Sequence, residues 1–200
     1  MKRYLFLLFL LNLSFQNINA QVDPILKNGF WFDLNFGIVQ KHEEVAVPCG
    51  SRGLGCNKWG RTTVPAAWAR GFALHAKVGN KWYYPKGKSY QLGFQFTWLG
   101  GGKDIWGGGG WYVDIGALGF CSVFKLNEKT GIEANFNVGP SVYVTDVGYL
   151  GVEGNIALKY RIGYLAIGTN FRYFRGKYGV YNDRDPIHIF NVFLSLGCKF

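Results

Sequence analysis

The chain has 200 residues, 48% hydrophobic and 17% charged, with a formal charge of +10. That is too apolar and too weakly charged for a disordered chain. Aromatic residues (18%) and glycine (29) are abundant, proline is scarce (6) and glycine has no three-residue period, which excludes collagen-like and coiled-coil classes.

Residues 1–20 open with Lys2 and Arg3, continue with an apolar run from Tyr4 to Leu13, and end on a small residue. This pattern predicts a secretory signal peptide, cleaved between Ala20 and Gln21, that leaves one mature domain over 21–200. The apolar run is too short for a membrane anchor, and no later run approaches the ~18–20 residues that a membrane helix needs.

From there the chain alternates with period two, which is the signature of half-buried strands. In 30–39, Phe30, Phe32, Leu34, Phe36 and Ile38 share one face, and Trp31, Asp33, Asn35, Gly37 and Val39 share the other. In 67–78, Trp68, Phe72, Leu74 and Val78 oppose Ala69, Gly71, His75 and Lys77. Segment 89–99 sets Tyr90, Leu92, Phe94, Phe96 and Trp98 against Gln91, Gln95 and Thr97. Segment 111–125 alternates least cleanly, with Trp111, Val113, Ile115, Ala117 and Val123 opposite Tyr112, Asp114, Leu118 and Phe120. The pattern recurs in 131–144 (Glu133 on the polar side), 149–161 (Glu153, Lys159, Arg161), 164–174 (Arg172) and 187–200 (Lys199).

Eight strands of about ten residues suit a tilted crossing of a bilayer, and an even number closes without a free edge. The reading is an all-β, eight-stranded antiparallel up-and-down transmembrane barrel. A soluble barrel around an apolar ligand would need the reverse distribution. The polar face carries Asp33, His75, Lys77, Asp114, Glu133, Glu153, Lys159, Arg161, Arg172 and Lys199, which suit a narrow lumen filled by paired charges. Large aromatics at strand ends (Trp68, Tyr90, Trp98, Trp111, Tyr160, Tyr173) suit interfacial girdles.

With its signal peptide, eight alternating strands and a closing run from Phe193 to Phe200, the chain resembles the small bacterial outer-membrane barrels, the transmembrane domain of OmpA and the OmpX family. The resemblance is one of pattern over the whole mature chain. It implies an outer-membrane location and a terminal Phe200 read by the barrel-assembly machinery.

With the N-terminus periplasmic, loops 40–66, 100–110, 145–148 and 175–186 face outward and turns 79–88, 126–130 and 161–163 face inward, in keeping with long outer loops. Cys49 and Cys56 in the first loop predict a disulfide in an oxidising compartment; His42 alone beside them is thin support for a metal site. Cys121 and Cys198 are read as unpaired and lipid-facing. Gly87-Lys88-Ser89 ends like a phosphate loop, but Trp82 stands where the first glycine belongs and a strand follows.

No cofactor or metal is called for. The basic residues are not gathered on one face, which argues against nucleic acid despite a pI near 9.5. A rim of Lys41, Arg52, Lys58, Arg61, Arg70, Arg175 and Lys177 suits lipopolysaccharide phosphates. The expected protein is a monomer with a structural or adhesive role, whose loops meet an extracellular or envelope protein. The alternatives are a lipid A-modifying enzyme, for which His42, His75 and His188 are the available imidazoles, and an accessory subunit of an envelope or secretion complex.

Overall fold

The computed structural model describes residues 25, 28–48, 61–65, 69–84, 89–105, 109–145, 148–178 and 186–200. Its strands are β1 (Gly29–Pro48), β2 (Arg61–Pro65), β3 (Ala69–Tyr84), β4 (Tyr90–Asp104), β5 (Trp111–Lys125), β6 (Thr130–Val144), β7 (Gly148–Ile162), β8 (Leu165–Tyr178) and β9 (Ile187–Lys199). β1 pairs antiparallel with β3, β3 to β9 pair antiparallel in chain order, and β9 returns to pair with β1 from Trp31↔Lys199 to Glu43↔Ile187. Eight strands therefore close into an up-and-down barrel. The short β2 lies outside the closed ladder and pairs only with Glu44–Pro48 of β1. The start of β1 and the end of β9 share one rim, here the terminal end; the opposite rim is the far end.

The strands outrun the alternating cores seen in the sequence. β4 continues through Gly100-Gly101-Gly102 to Asp104, β3 runs on to Tyr84, and β8 reaches Tyr178. The expected loop 100–110 is thus half strand, and the expected turn 79–88 is shorter than its bounds. The tight turn after β5 is held by Asn127, whose Oδ1 accepts the amides of Lys129 and Thr130, each at 2.9 Å. Short polar side chains favour turns for this reason.

The wall is apolar outside. Phe36, Phe72, Phe94, Phe136, Ile156, Phe171 and Leu194 stand exposed, while lysines, arginines and carboxylates are buried within. Hydrocarbon rewards this inversion, because a closed ladder leaves no free edge and lipid solvates the apolar face. Trp111 lies near the far rim, and Tyr84, Tyr90, Tyr160 and Tyr164 lie near the terminal one. Trp98 sits mid-wall rather than at a strand end. Its indole donates to Asn80 Oδ1 at 2.6 Å on the outer face, so its N–H is not lost to lipid. Trp68 lies outside the described residues.

Two bulges break the alternation. Trp98 and Leu99 both point outward, and the β3–β4 register shifts by one between Val78 and Gly79. Opposite them Gly116, at φ +67°, is the extra residue of β5, and the β5–β6 register shifts between Asp114 and Leu118. Only glycine takes that φ without strain. Between β4 and β5 themselves the register runs unbroken, Thr97↔Ala117 and then Leu99↔Ile115.

The bulge corrects the facing read for 111–125. Beyond Gly116, Leu118 and Phe120 face lipid, and Ala117, Cys121 and Val123 face the lumen. Cys121 is therefore not lipid-facing: it is buried with Ile25, Tyr83 and Val123. Cys198 does lie on the outer face, half-buried. A membrane-soluble maleimide should modify Cys198 and spare Cys121 until the barrel is unfolded. Peptide mapping by mass spectrometry reads the result, and equal modification in the folded state would reverse the assigned face.

Candidate functional site

The lumen is filled in three tiers. Nearest the terminal end, Glu133 on β6 gathers Lys81 from β3 and Arg161 from β7, and accepts Asn135 Nδ2 at 2.7 Å. Lys159 pairs with Asp33 across the barrel. Lys199 donates to the Ile25 carbonyl at 2.8 Å and lies 4.7 Å over the Tyr83 ring. Ile25, fully buried, thus caps this tier.

The middle tier is built on two carboxylates and one guanidinium. Asp114 Oδ1 accepts Ser141 Oγ at 2.5 Å and an Arg172 amino group at 2.9 Å; its Oδ2 stands 2.6 Å from His75 Nε2 and 3.5 Å from Lys77 Nζ. Glu153 accepts Lys77 at 2.6 Å on one oxygen and Arg172 Nε at 2.7 Å on the other. The Arg172 guanidinium also lies 4.2 Å over the Tyr112 ring. One rigid planar fork therefore ties β5 to β7 from β8, a geometry that arginine provides and lysine does not.

The far tier is Asp104. It accepts Lys41 at 2.7 Å, Tyr112 Oη at 2.7 Å and Tyr143 Oη at 2.9 Å. Around it Val39, Ala73, Phe174, Ile187, Ile189 and Phe193 form an apolar cluster inside the barrel. The lumen thus changes from ionic at the terminal end and waist to largely apolar at the far end.

All ten charged or titratable residues assigned to the lumen from the sequence lie inside it, and none is more than 8% exposed. Lys81 and Asp104 belong there too. Parity with Lys77 on β3 points to Lys81; Asp104 is hidden by the bulge at Trp98 and Leu99, which reverses the facing of everything beyond it. Lys41 is a correction: read as part of the outer rim, it turns inward to Asp104 because it keeps phase with Asp33, Asn35 and Val39. Arg175 and Lys177 do stand exposed at the far end of the outer wall. Arg52, Lys58, Cys49, Cys56, the cleavage pair Ala20 and Gln21, and the side chains of His42, Arg61 and Arg70 lie outside the described residues.

The two histidines whose side chains are described, His75 and His188, are poorly placed for hydrolytic chemistry. His75 is walled into the lumen, and Ser141 gives its proton to Asp114 rather than facing the imidazole. His188 sits on the outer wall with its Nδ1 2.6 Å from Tyr173 Oη. Of the described serines, Ser141 and Ser195 are buried in the lumen, and Ser89 and Ser122 stand at the terminal end of the wall, away from His188 at the far end. Phe200 closes the ladder, its amide donating to the Phe30 carbonyl at 2.8 Å and its ring 6.5 Å from that of Phe30.

No family model matches the chain, and no curated protein matches it. Among solved structures it is similar to the outer membrane enzyme PagL, at 12% identity and a TM-score of 0.46, over 79% of this chain and 97% of that one. It is similar to Ail, the attachment invasion locus protein of Yersinia pestis, at 12% identity and a TM-score of 0.38, over 86% and 99%. It is also similar to Neisserial surface protein A, at 11% identity and a TM-score of 0.43, over 86% and 97%. At such identities the likeness concerns the fold alone, and the assignment here stands on the closed ladder and its inverted polarity. A small closed β-barrel, apolar outside and ionic within, with the polarity of a transmembrane barrel, is what this sequence builds.

Proposed function

We propose that the protein is a monomeric outer-membrane barrel with a closed lumen, a rigid stem whose structural or adhesive work is done by segments at the far end, exposed to the outside. The observation that carries this is the filling of the lumen: the waist cavity measures about 10 Å³, room for roughly one water. Ions crossing it would have to part charge pairs that hold one another in place. Planar-bilayer recording of the refolded barrel should find no steady conductance. A large, persistent current would show an open interior and overturn the reading.

The same reading takes residues 1–20 as an export signal cut after Ala20 and Cys49–Cys56 as a loop disulfide. It takes Phe200 as part of what the assembly machinery recognises, and Arg175 and Lys177 as contacts for lipopolysaccharide phosphates. Orientation follows from the length of the segments at each end, since short turns such as 126–129 belong on the periplasmic side. An epitope inserted beside Ser51 should be labelled on intact cells, and one beside Asn127 only after the envelope is opened. The opposite labelling would invert the barrel.

A further inference from the structure

At the waist of the lumen, between the middle and terminal tiers, lies the cavity of about 10 Å³ lined by Trp31, Asp33, Lys77 and the amides of Asn135, Asn137, Asn155 and Asn170. Its lining is unusually rich in buried polar atoms without a hydrogen-bond partner: Trp31 Nε1, both amide atoms of Asn155, and Oδ1 of Asn135, Asn137 and Asn170. All four asparagines are at least nine-tenths buried. Buried polar groups are normally satisfied, so such a concentration asks for an occupant. Asn135 and Asn170 are fixed, their nitrogens donating to Glu133 and to Asn35 Oδ1, whereas Asn137 and Asn155 can present either oxygen or nitrogen after a flip.

Charge decides what the occupant is. Among the described residues, the buried lumen side chains comprise seven lysines and arginines but five carboxylates. The surplus lies in the terminal tier, where Lys81, Lys159, Arg161 and Lys199 meet only Asp33 and Glu133. That tier borders the cavity: Asp33 lines it while bound to Lys159, and Lys81 lies 4.9 Å over the Trp31 ring. A cation would find Asp33 there but would deepen the surplus. An anion would offset it and accept from the Trp31 N–H and from the amides of Asn137 and Asn155. Uncompensated buried charge is costly, so the difference is large.

We propose that the waist cavity binds a small monovalent anion of the size of chloride, held by asparagine N–H groups and the Trp31 indole, and that this anion is part of the folded barrel. The inference rests on the closed lumen proposed above, yet the two fail separately. Conductance would overturn the closed lumen; a silent barrel with no anion would overturn only this site.

The test uses the refolded barrel at constant ionic strength, with sodium chloride exchanged for sodium gluconate, whose anion is too large for the cavity. Chloride should stabilise the fold saturably, raising the folded-to-unfolded ratio about 100-fold at a hundred times its dissociation constant. In Asn155→Asp a fixed carboxylate takes the anion's place, and the chloride dependence should vanish. If that variant does not fold, long-wavelength diffraction from wild-type crystals grown in chloride decides: an anomalous chlorine peak within the asparagine ring supports the site. No anomalous peak there, a chloride response retained in Asn155→Asp, or a stability unchanged when gluconate replaces chloride would overturn it.

Discussion

Replacing Arg172 with alanine is expected to destabilise the barrel by about 3–5 kcal/mol, the range for breaking a buried ion pair from one side. The cost arises because Asp114 and Glu153 both remain, fully buried, after their shared partner is gone. Lys77 still reaches Glu153, so the greater injury falls on Asp114, left with Ser141, His75 and a longer contact to Lys77. Arg172→Lys should fall between wild type and alanine, since an ammonium keeps the charge but cannot fork between two carboxylates. Removing Glu153 together with Arg172 should recover part of the loss, because the pair is coupled. Urea unfolding in lipid vesicles, followed by tryptophan fluorescence, measures each. A loss below about 1 kcal/mol for Arg172→Ala would mean that this cluster is as well screened as a surface pair.

A second substitution should act more severely while touching no charge. Gly119 faces inward on β5, and a Cβ there would fall on the Phe136 carbonyl oxygen and within 2.6 Å of Asn137 Cα. Both belong to the neighbouring strand, so no side-chain rotation relieves the overlap, and strand bends in small barrels use glycine for such close approach. Gly119→Val should prevent closure, giving only the unfolded band in heat-modifiable electrophoresis. Gly148→Ala is the control, since nothing lies within 4 Å of its added carbon. A folded Gly119→Val barrel would show that β5 and β6 can separate at this level.

Period-two alternation made the architecture legible because a barrel between lipid and a packed lumen imposes opposite polarity on successive side chains over long stretches. Glu133, Glu153, Lys159, Arg161 and Arg172 fell on the polar face by parity alone. What parity could not give was any residue beyond a phase break. Asp104 and Cys121 each lie past a bulge, and the glycine that marks the second break, Gly116, reads in the sequence like any other small residue. Strand ends were illegible for another reason: Gly100-Gly101-Gly102 has the composition of a loop, yet stays in the ladder because inward Cβ atoms at Gly100 and Gly102 would crowd Asp114 and His75. The tiers themselves depend on which inward residues share a level around the barrel. Shear between strands sets that, and no single strand contains it.

The two bulges also couple the lengths of β4 and β5. Each strand carries one surplus residue at the same level, so the hairpin between them stays in register while its far half is offset against β3 and β6. Deleting one residue at Gly116 alone would leave β5 correctly faced but one residue out of step with β4 from there to the hairpin tip. Deleting one residue from each strand would restore the pairing and carry Asp104 and Asp114 together to a new height. Changes of length in this wall are therefore permissible only as matched pairs, and the number of residues between facing positions constrains the hairpin as firmly as their chemistry does.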